Sequence, residues 1–182
     1  ALVDDPSAYV RRSVSNHLND IAKDHPDEAV AIAVRWLGEP TAHREWVARR
    51  GLRTLVKAGP SGALAALGYR AVALASAHLQ ILTPTVTLGE ALEFTFSMQS
   101  AERDAQPVIV DYAVHHQKSD GSLRPKVFKW KRLSFEAGAT FDGRRRHAMR
   151  PITTRTYYRG AHALEVLVNG QRVAIADFKL QI

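Results

Sequence analysis

The sequence contains no cysteine, which excludes a disulfide framework, a thiol nucleophile and a cysteine-ligated zinc site. No apolar run approaches the roughly 20 residues that a membrane-spanning helix needs. The chain does not open with a basic stretch followed by an apolar core and a cleavage site, so a retained secretory signal is not indicated. We therefore expect a protein of the reducing cytoplasm that has no contact with membranes.

Sequence motifs for metal, cofactor and nucleophile chemistry are missing as well. The chain has no HExxH, Walker, GxSxG or GxGxxG motif. The adjacent His115 and His116 fall in a predicted strand, where neighbouring side chains point to opposite faces. The sequence thus predicts no metal site and no small-molecule cofactor, and it leaves any catalytic residue unknown.

Basic side chains, by contrast, are in excess. The 182 residues include 25 Lys and Arg against 18 Asp and Glu, a net charge of +7. The segment 118–159 alone carries 12 basic and 3 acidic side chains, a net charge of +9. A positive field of this kind favours polyanionic partners, of which nucleic acid is the commonest.

The first 70 residues show helical periodicity. Asp5-Pro6 predicts a helix start, and the apolar positions Val10, Val14, Leu18 and Ile21 that follow recur at helical spacing. A second helix is predicted after Pro26 with a buried face of Val30, Val34 and Leu37, and a third over 41–57, closed by Gly59-Pro60. A short helical turn over 62–67 completes this half.

The helical half also contains an internal sequence similarity. A shift of 37 residues places Tyr9 over Trp46, Arg12 over Arg49 and Leu18 over Leu55. This offset indicates HEAT-like helical repeats over 1–70, with Asp5 and Arg11 in structural roles. Because about three stacked repeats are normally needed to bury a core, we expect an incomplete solenoid, part of a longer protein.

After Tyr69 the period changes from helical to two. Leu92, Phe94, Phe96 and Met98 alternate with polar residues, as in a half-buried strand. Asn169-Gly170 predicts a type I′ hairpin, and Asp120-Gly121 a weaker turn of the same kind. Seven or eight such strands over 76–182 predict an antiparallel immunoglobulin-like β-sandwich. The predicted fold class is therefore α+β multidomain, with HEAT-like helical repeats followed by this sandwich.

Two rows of polar side chains are the candidate binding residues of the helical half. Positions i, i+4, i+7 and i+11 of the first helix share one face, and the third helix presents basic residues at matching positions. Such rows suit a phosphate backbone, because guanidinium groups bind phosphate oxygens in a bidentate way. The alternative is an ordinary solvated helix face. The predicted contacts are Arg12, Asn16, Asn19, Lys23, Arg49, Arg50 and Arg53.

Large aromatic and basic residues supply the other candidates. Tyr9 and Trp46 occupy equivalent repeat positions, which favours core packing over stacking on a base or sugar. In the β half, basic residues alternate with Phe128 and Trp130, a pattern that suits nucleic acid or, alternatively, protects a sheet edge from aggregation. The candidate contacts there are Lys129, Lys131, Arg144, Arg145 and Arg146.

The runs from Tyr9 to Pro26 and from Arg44 to Lys57 resemble the HEAT-like-repeat DNA alkylation-repair glycosylases. The appended immunoglobulin-like domain, with Tyr158, Gly160 and His162 at a strand entry, is similar to the AlkC-type branch. The resemblance implies a concave basic surface that holds alkylated duplex DNA. It also implies that the full-length protein removes cationic alkylated bases such as 3-methyladenine by hydrolysis, with active-site acids N-terminal to Ala1.

Two other functions remain open at this point. The first is a non-catalytic interaction module in which helical repeats and a sandwich bind protein or nucleic acid. The second is a carbohydrate-binding sandwich, suggested by aromatic residues on strands.

Overall fold

The structure, a computed structural model, describes residues 1–58 and 62–182. The chain divides into two compact units, Ala1–Arg70 and Ala71–Ile182. The first unit is helical and the second is built of β-strands. The predicted fold class, helices followed by an immunoglobulin-like sandwich, is confirmed.

The first unit opens with one turn of 3₁₀ helix, Leu2–Asp4. Its α-helices are α1 (Ala8–Asp24), α2 (Pro26–Leu37), α3 (Ala42–Gly51), α4 (Arg53–Ala58) and α5 (Gly62–Ala66). Among the residues that the structure describes, no helix is both long enough and apolar enough to cross a bilayer.

Helix α1 begins at Ala8, later than the predicted start at Asp5-Pro6. Asp5 does not cap the helix, because its Oδ1 accepts a hydrogen bond from the amide of Ser7 at 2.8 Å and forms a turn before it. Arg11 Nη1 donates to the carbonyl of Asp5 at 2.6 Å and to that of Pro6 at 2.9 Å. Asp5 and Arg11 therefore have structural roles at the entry to α1.

Two details of the later helices differ from the predictions. Val34, predicted to be buried, is 51% exposed, because Ala29 and Ala33 form the buried face of α2. The predicted helix over 41–57 is interrupted at the fully buried Leu52, whose φ of −86° and ψ of 6° are not helical. The predicted helix end at Gly59-Pro60 lies outside the described residues.

Helix α1 packs closely against α3. A Cβ atom on Gly51 would lie 2.5 Å from Cδ2 of the buried Leu18, a distance that real side chains do not tolerate. The absence of a side chain at Gly51 therefore sets how near the two helices lie. This close packing fixes the relative position of the polar rows that α1 and α3 carry.

The second unit contains eight strands. They are β1 (Leu74–Ile81), β2 (Thr85–Thr87), β3 (Ala91–Ser100), β4 (Gln106–Gln117), β5 (Leu123–Phe135), β6 (Thr140–Ala148), β7 (Gly160–Val168) and β8 (Gln171–Gln181). One sheet has the order β1-β3-β6 and the other β2-β8-β7-β4-β5. The pairing is antiparallel except that β2 runs parallel to β8, which corrects the prediction of a purely antiparallel sandwich.

Alternating residues of the strands fill the space between the sheets. Phe94, Phe96 and Met98 of β3 are all fully buried, as their period of two predicts. Trp130 of β5 lies against Phe94 and Phe96, with ring centroids 5.4 and 6.3 Å apart. Since no disulfide joins the sheets, this aromatic packing holds them together.

The two predicted hairpin turns have different conformations. Asn169 and Gly170 have φ values of 48° and 78°, as the predicted type I′ turn requires. The Asn169 side chain accepts a hydrogen bond from the amide of Ile109 at 2.8 Å, which ties the turn to β4. Asp120 has no positive φ; its Oδ1 instead accepts from the amide of Ser122 at 2.9 Å, so Asp120-Gly121 is not a turn of the predicted kind.

Candidate nucleic-acid interface

Equivalent positions of α1 and of the α3–α4 segment touch each other. Arg53 Nη2 donates to Asn16 Oδ1 at 3.3 Å, and these residues are 37 positions apart. Near the other end of the helices, Thr41 Oγ1 lies 3.5 Å from Asp4 Oδ1, again with a separation of 37. The offset seen in the sequence is therefore a spatial register, and the two rows of polar side chains lie side by side.

Most of the predicted contacts on these rows face solvent. Arg12 is exposed, and within residues 1–58 and 62–182 its side chain has no hydrogen-bond or ion-pair partner. Arg49 is also exposed and donates a long hydrogen bond of 3.5 Å to the hydroxyl of Tyr69. Arg53, besides its bond to Asn16, donates to the carbonyl of Arg50 at 2.6 Å. These contacts hold the guanidinium groups without neutralising their charge. We call the surface formed by Arg12, Asn16, Lys23, Arg49 and Arg53 the helical rows.

Asn19, predicted from the sequence as a DNA contact, is buried and is not part of this surface. Its side chain is 4% exposed, and its Oδ1 accepts a hydrogen bond from Thr54 Oγ1 at 2.8 Å. The α4 helix thus covers the edge of α1 on which Asn19 lies. The residue joins two helices and has a structural role.

Tyr9 and Trp46 are exposed, which contradicts the prediction of core packing. Their exposed fractions are 82% and 43%. The half-buried Arg50 lies over the Trp46 ring, 5.5 Å from its centroid, a cation–π contact that orients the indole. Trp46 also lines a cavity of ≈ 280 Å³ together with Arg12, His43 and residues at the starts of α1 and α3. Exposed aromatic rings therefore lie beside the cations of the helical rows.

One carboxylate lies among these side chains. Asp20 Oδ1 is 2.7 Å from Lys23 Nζ, and both side chains are exposed. The hydrogen bond from Lys23 lowers the pKa of Asp20, and the charge of Arg53 lowers it further. Asp20 is therefore ionised at neutral pH. Its interaction with Arg53 of the other row depends on how the helices pack, which a local sequence pattern does not encode.

The predicted cations of the sandwich lie along adjoining edges of the two sheets. Arg145 Nη2 of β6 lies 3.4 Å from the carbonyl of Lys129 on β5. Three of the five are already ion-paired: Lys129 with Asp111 at 2.6 Å, and Arg144 and Arg146 with Glu93 at 2.6 and 3.6 Å. Lys131 is exposed and has no side-chain partner within the described part of the chain. Two carboxylates therefore offset part of the positive charge that these five residues carry.

A cluster of histidines lies inside one end of the sandwich. Arg155 Nη1 donates to His116 Nε2 at 2.5 Å, so the proton of the neutral His116 ring is on Nδ1. His162 Nδ1 donates to the carbonyl of Gly160 at 3.2 Å, which leaves its Nε2 as an acceptor. Both remaining ring nitrogens are buried without a hydrogen-bond partner, and the two rings are 5.8 Å apart. The third member, His147, contacts the hydroxyl of Tyr112 at 3.0 Å.

Burial sets the protonation of these histidines. Burial, with a smaller contribution from the charge of Arg155, lowers the pKa of His116 to about 3 and that of His147 to about 4. Burial also lowers the pKa of His162. All three rings are therefore neutral at pH 7. In residues 1–58 and 62–182, no three acidic or histidine side chains are arranged to hold a metal ion.

Comparison with known proteins finds matches that cover both units of the chain. Residues 75–182 match the family described as "Uncharacterised protein YhaZ, C-terminal Ig-like domain". Protein YhaZ of Bacillus subtilis (strain 168) is 37% identical over 180 residues, which are 98% of this chain and 50% of that protein. The chain thus spans about half the length of the curated relative that it matches.

A solved structure matches the whole chain. It is the alkylpurine DNA glycosylase AlkC of Pseudomonas fluorescens bound to DNA that contains an abasic site analog. The identity is 40% and the TM-score 0.86, and the match covers 100% of this chain and 50% of that one. The resemblance to the AlkC-type branch is therefore confirmed, and the chain belongs to the YhaZ family defined by the C-terminal immunoglobulin-like domain.

Proposed function

We propose that this chain binds duplex DNA through the helical rows and forms part of a DNA-repair protein. The observation that carries the proposal is the similarity over the whole chain to AlkC, whose solved structure contains DNA. The exposed arginines of two helices in spatial register supply the chemistry that such binding needs. We further propose that these helices are HEAT-like repeats of a longer array.

Phosphate groups are the part of DNA that the helical rows suit best. Arg12, Arg49 and Arg53 have exposed guanidinium groups with no ion pair to a carboxylate within the described residues, and Asp20 lies near enough to Arg53 for their charges to interact. Guanidinium forks bind phosphate oxygens in a bidentate way, and such contacts fix the position of a duplex without reading its sequence. Asn16, held by Arg53, adds an amide donor to the same surface. This chemistry supports sequence-independent binding.

Binding of this type has a characteristic salt dependence, which is the first test. The logarithm of the association constant of the full chain for a 20-base-pair duplex is expected to fall linearly with the logarithm of salt concentration. A slope of about −0.9 for each phosphate neutralised gives about −2.7 for three arginines. Fluorescence anisotropy with a labelled duplex measures it. Absence of affinity at about 50 mM salt would contradict the proposed function.

We also propose that the longer protein excises cationic alkylated bases such as 3-methyladenine. A positively charged base is already a good leaving group, so the enzyme needs mainly a carboxylate to stabilise the developing oxocarbenium ion and to position water. Asp20 supplies an ionised carboxylate on the helical rows, and the exposed Tyr9 and Trp46 offer aromatic faces to a cationic base or a sugar.

The role of Asp20 is tested in the longer protein that contains this chain. Asp20→Asn removes the charge and keeps the shape, and it is expected to lower the rate of 3-methyladenine release from alkylated duplex DNA by at least about a hundredfold. Binding to undamaged DNA should not weaken, because the change removes a negative charge from a phosphate-binding surface. Asp24→Asn on the same helix is the matched control. Full activity of the Asp20 variant would place the catalytic carboxylate elsewhere in the longer protein. Absence of excision by the wild-type protein would favour the non-catalytic interaction module.

A further inference from the structure

In the part of the chain that the structure describes, the two sheets of the sandwich end in four edge strands. They are β1 and β6 in one sheet and β2 and β5 in the other. Natural β-proteins prevent such edges from pairing with other chains by short strands, prolines or charged side chains. Strand β2 has three residues, β5 carries Pro125 beside several lysines, and β6 carries three consecutive arginines over 144–146. These three edges are therefore protected.

Strand β1 has none of these protective features. Its eight residues, Leu74–Ile81, include no aspartate, glutamate, lysine, arginine or proline. Residues 76–81 pair with β3 in one continuous antiparallel register, and the irregularity lies between Leu74 and Ser76. Most of the strand is exposed. It therefore offers a regular, uncharged edge of the kind to which another strand can be added.

The backbone groups on this free edge follow from the alternation of the strand. The amide of Leu82 donates to the carbonyl of Glu93 in β3 at 2.8 Å. Successive amides of an extended strand point to opposite sides, so those of Ala77, Leu79 and Ile81 point away from β3. Within the described part of the chain, the backbone of these three residues forms no hydrogen bond outside the β1–β3 pairing. The edge thus presents an N–H and a C=O at every second residue.

The side chains of β1 are complementary to those of a second copy of the same strand. Ala77 and Leu79 pair with Met98 and Phe96, whose buried side chains mark the inward face of the sheet. Antiparallel pairing of two copies about His78 sets Ala77 of each copy opposite Leu79 of the other and brings their free backbone groups together. A small side chain then meets a large one on both sides of the axis, as close packing of facing positions requires.

Burial and charge favour the same occupant. Leu79 and Ile81 are half-buried at the margin of the core that contains Phe94, and an added strand completes their burial. Strand β1 brings no lysine, arginine or carboxylate to the junction, so a second copy meets no like charge across it. A two-fold pair also closes on itself, because each copy uses its free edge once.

We propose that β1 joins two copies of this chain in a symmetric dimer. The two three-stranded sheets then form one sheet of order β6-β3-β1-β1-β3-β6. A junction of one strand pair is small, so the dimer is weak and forms at roughly 0.1 mM protein. Each copy carries a net charge of +7, and salt screens their repulsion. Association should therefore strengthen with salt, whereas binding to DNA weakens. The dimer forms without DNA, so its test is separate from that of the proposed function.

Single cysteines test the geometry of the pair, because the natural chain contains none. His78→Cys places two thiols at the axis in a non-hydrogen-bonded pair, where the Cα atoms are about 4.5 Å apart and a disulfide fits. The matched control, Gln80→Cys, lies on the same exposed face but roughly 13 Å along the strand from its own copy. Mild oxidation at about 0.1 mM is expected to give at least roughly tenfold more cross-linked dimer for His78→Cys, seen on a non-reducing gel.

Sedimentation equilibrium measures the association without a cross-link. His78→Lys sets two ammonium groups together at the axis and is expected to weaken association at least roughly tenfold. Thr140→Lys adds the same charge at an exposed position of β6, the opposite edge of the sheet, and should retain most of the association. Melting temperatures of both variants should match the wild type, since both side chains are exposed.

Three outcomes would overturn the proposal. The first is a wild-type chain that stays monomeric up to about 0.5 mM at high salt. The second is equal association of the two lysine variants, or equal cross-linking of the two cysteine variants, which would place the contact on another surface. The third is protection of the β1 amides from hydrogen exchange in the longer protein while that protein is monomeric. Another segment of the longer protein would then occupy this edge.

Discussion

Reversing the charge of Arg12 and Arg49 together is expected to weaken DNA binding by about 3 kcal/mol, or roughly a hundredfold. Both side chains are exposed, and they occupy equivalent positions of the two helices. Each Glu removes a charge-assisted hydrogen bond to phosphate and adds a repulsion at the same point. The measurement is the anisotropy titration of the full chain with duplex DNA at low and moderate salt.

A matched double variant separates local contact from net charge. Arg35→Glu on α2 with Arg103→Glu in the sandwich changes the charge equally at exposed positions outside the helical rows. It should weaken binding much less, and only through long-range repulsion that salt screens. If Arg12→Glu with Arg49→Glu kept wild-type affinity with an unaltered circular dichroism spectrum, the helical rows would not be the contact, and the segment 118–159 would become the main candidate.

The sandwich is expected to lose stability steeply as the pH falls from 6.5 towards 4. His116 and His147 have folded-state pKa values of about 3 and about 4, against 6.5 when unfolded. In this range the unfolded chain binds protons that the folded chain excludes, so the free energy of unfolding falls by up to about 1.4 kcal/mol per pH unit for each histidine. Above pH 6.5 their contribution is fully present and constant.

Hydrogen exchange followed by mass spectrometry measures this loss of stability in the strands that surround the histidines. Peptides from β7 should lose protection between pH 6.5 and 4.5, after correction for the intrinsic exchange rate. His116→Gln should reduce the pH slope, whereas His78→Gln, which alters an exposed histidine of β1, should leave it unchanged. Carboxylates with lowered pKa values, such as Glu93, lose their stabilising interactions as the pH falls through and below their ordinary value of 4.5, at the acidic limit of this range. A protection that did not vary over this range would contradict the buried, neutral histidines.

Local patterns in the sequence were sufficient to predict most of the helices and strands of this fold. The alternation of Leu92 to Met98 and the Asn169-Gly170 turn follow from side-chain burial and backbone conformation within a few residues. The interruption at Leu52 was missed because it depends on tertiary packing rather than on local propensity. The parallel pairing of β2 with β8 joins segments about 90 residues apart, which no local pattern encodes.

The candidate site was predicted less completely, because neighbouring helices decide which face of α1 is covered. Asn19 shares a helical face with Arg12 and Lys23, yet α4 covers its edge through Thr54. Tyr9 and Trp46 have the size of core residues, but their equivalent positions lie at the surface.

The register between the two helices limits how precisely this surface could define the position of a bound duplex. Tyr9 and Arg12 recur as Trp46 and Arg49, so a duplex shifted from one helix to the other would meet similar groups at these positions. These groups therefore define the position of a bound duplex poorly. The two segments differ at several positions, and the charge changes sign where Asp20 is matched by Lys57. A nucleotide carrying an extra positive charge is attracted at the first of these points and repelled at the second. Under the proposed function, the part of the surface that carries Asp20 is therefore the part that favours a cationic base.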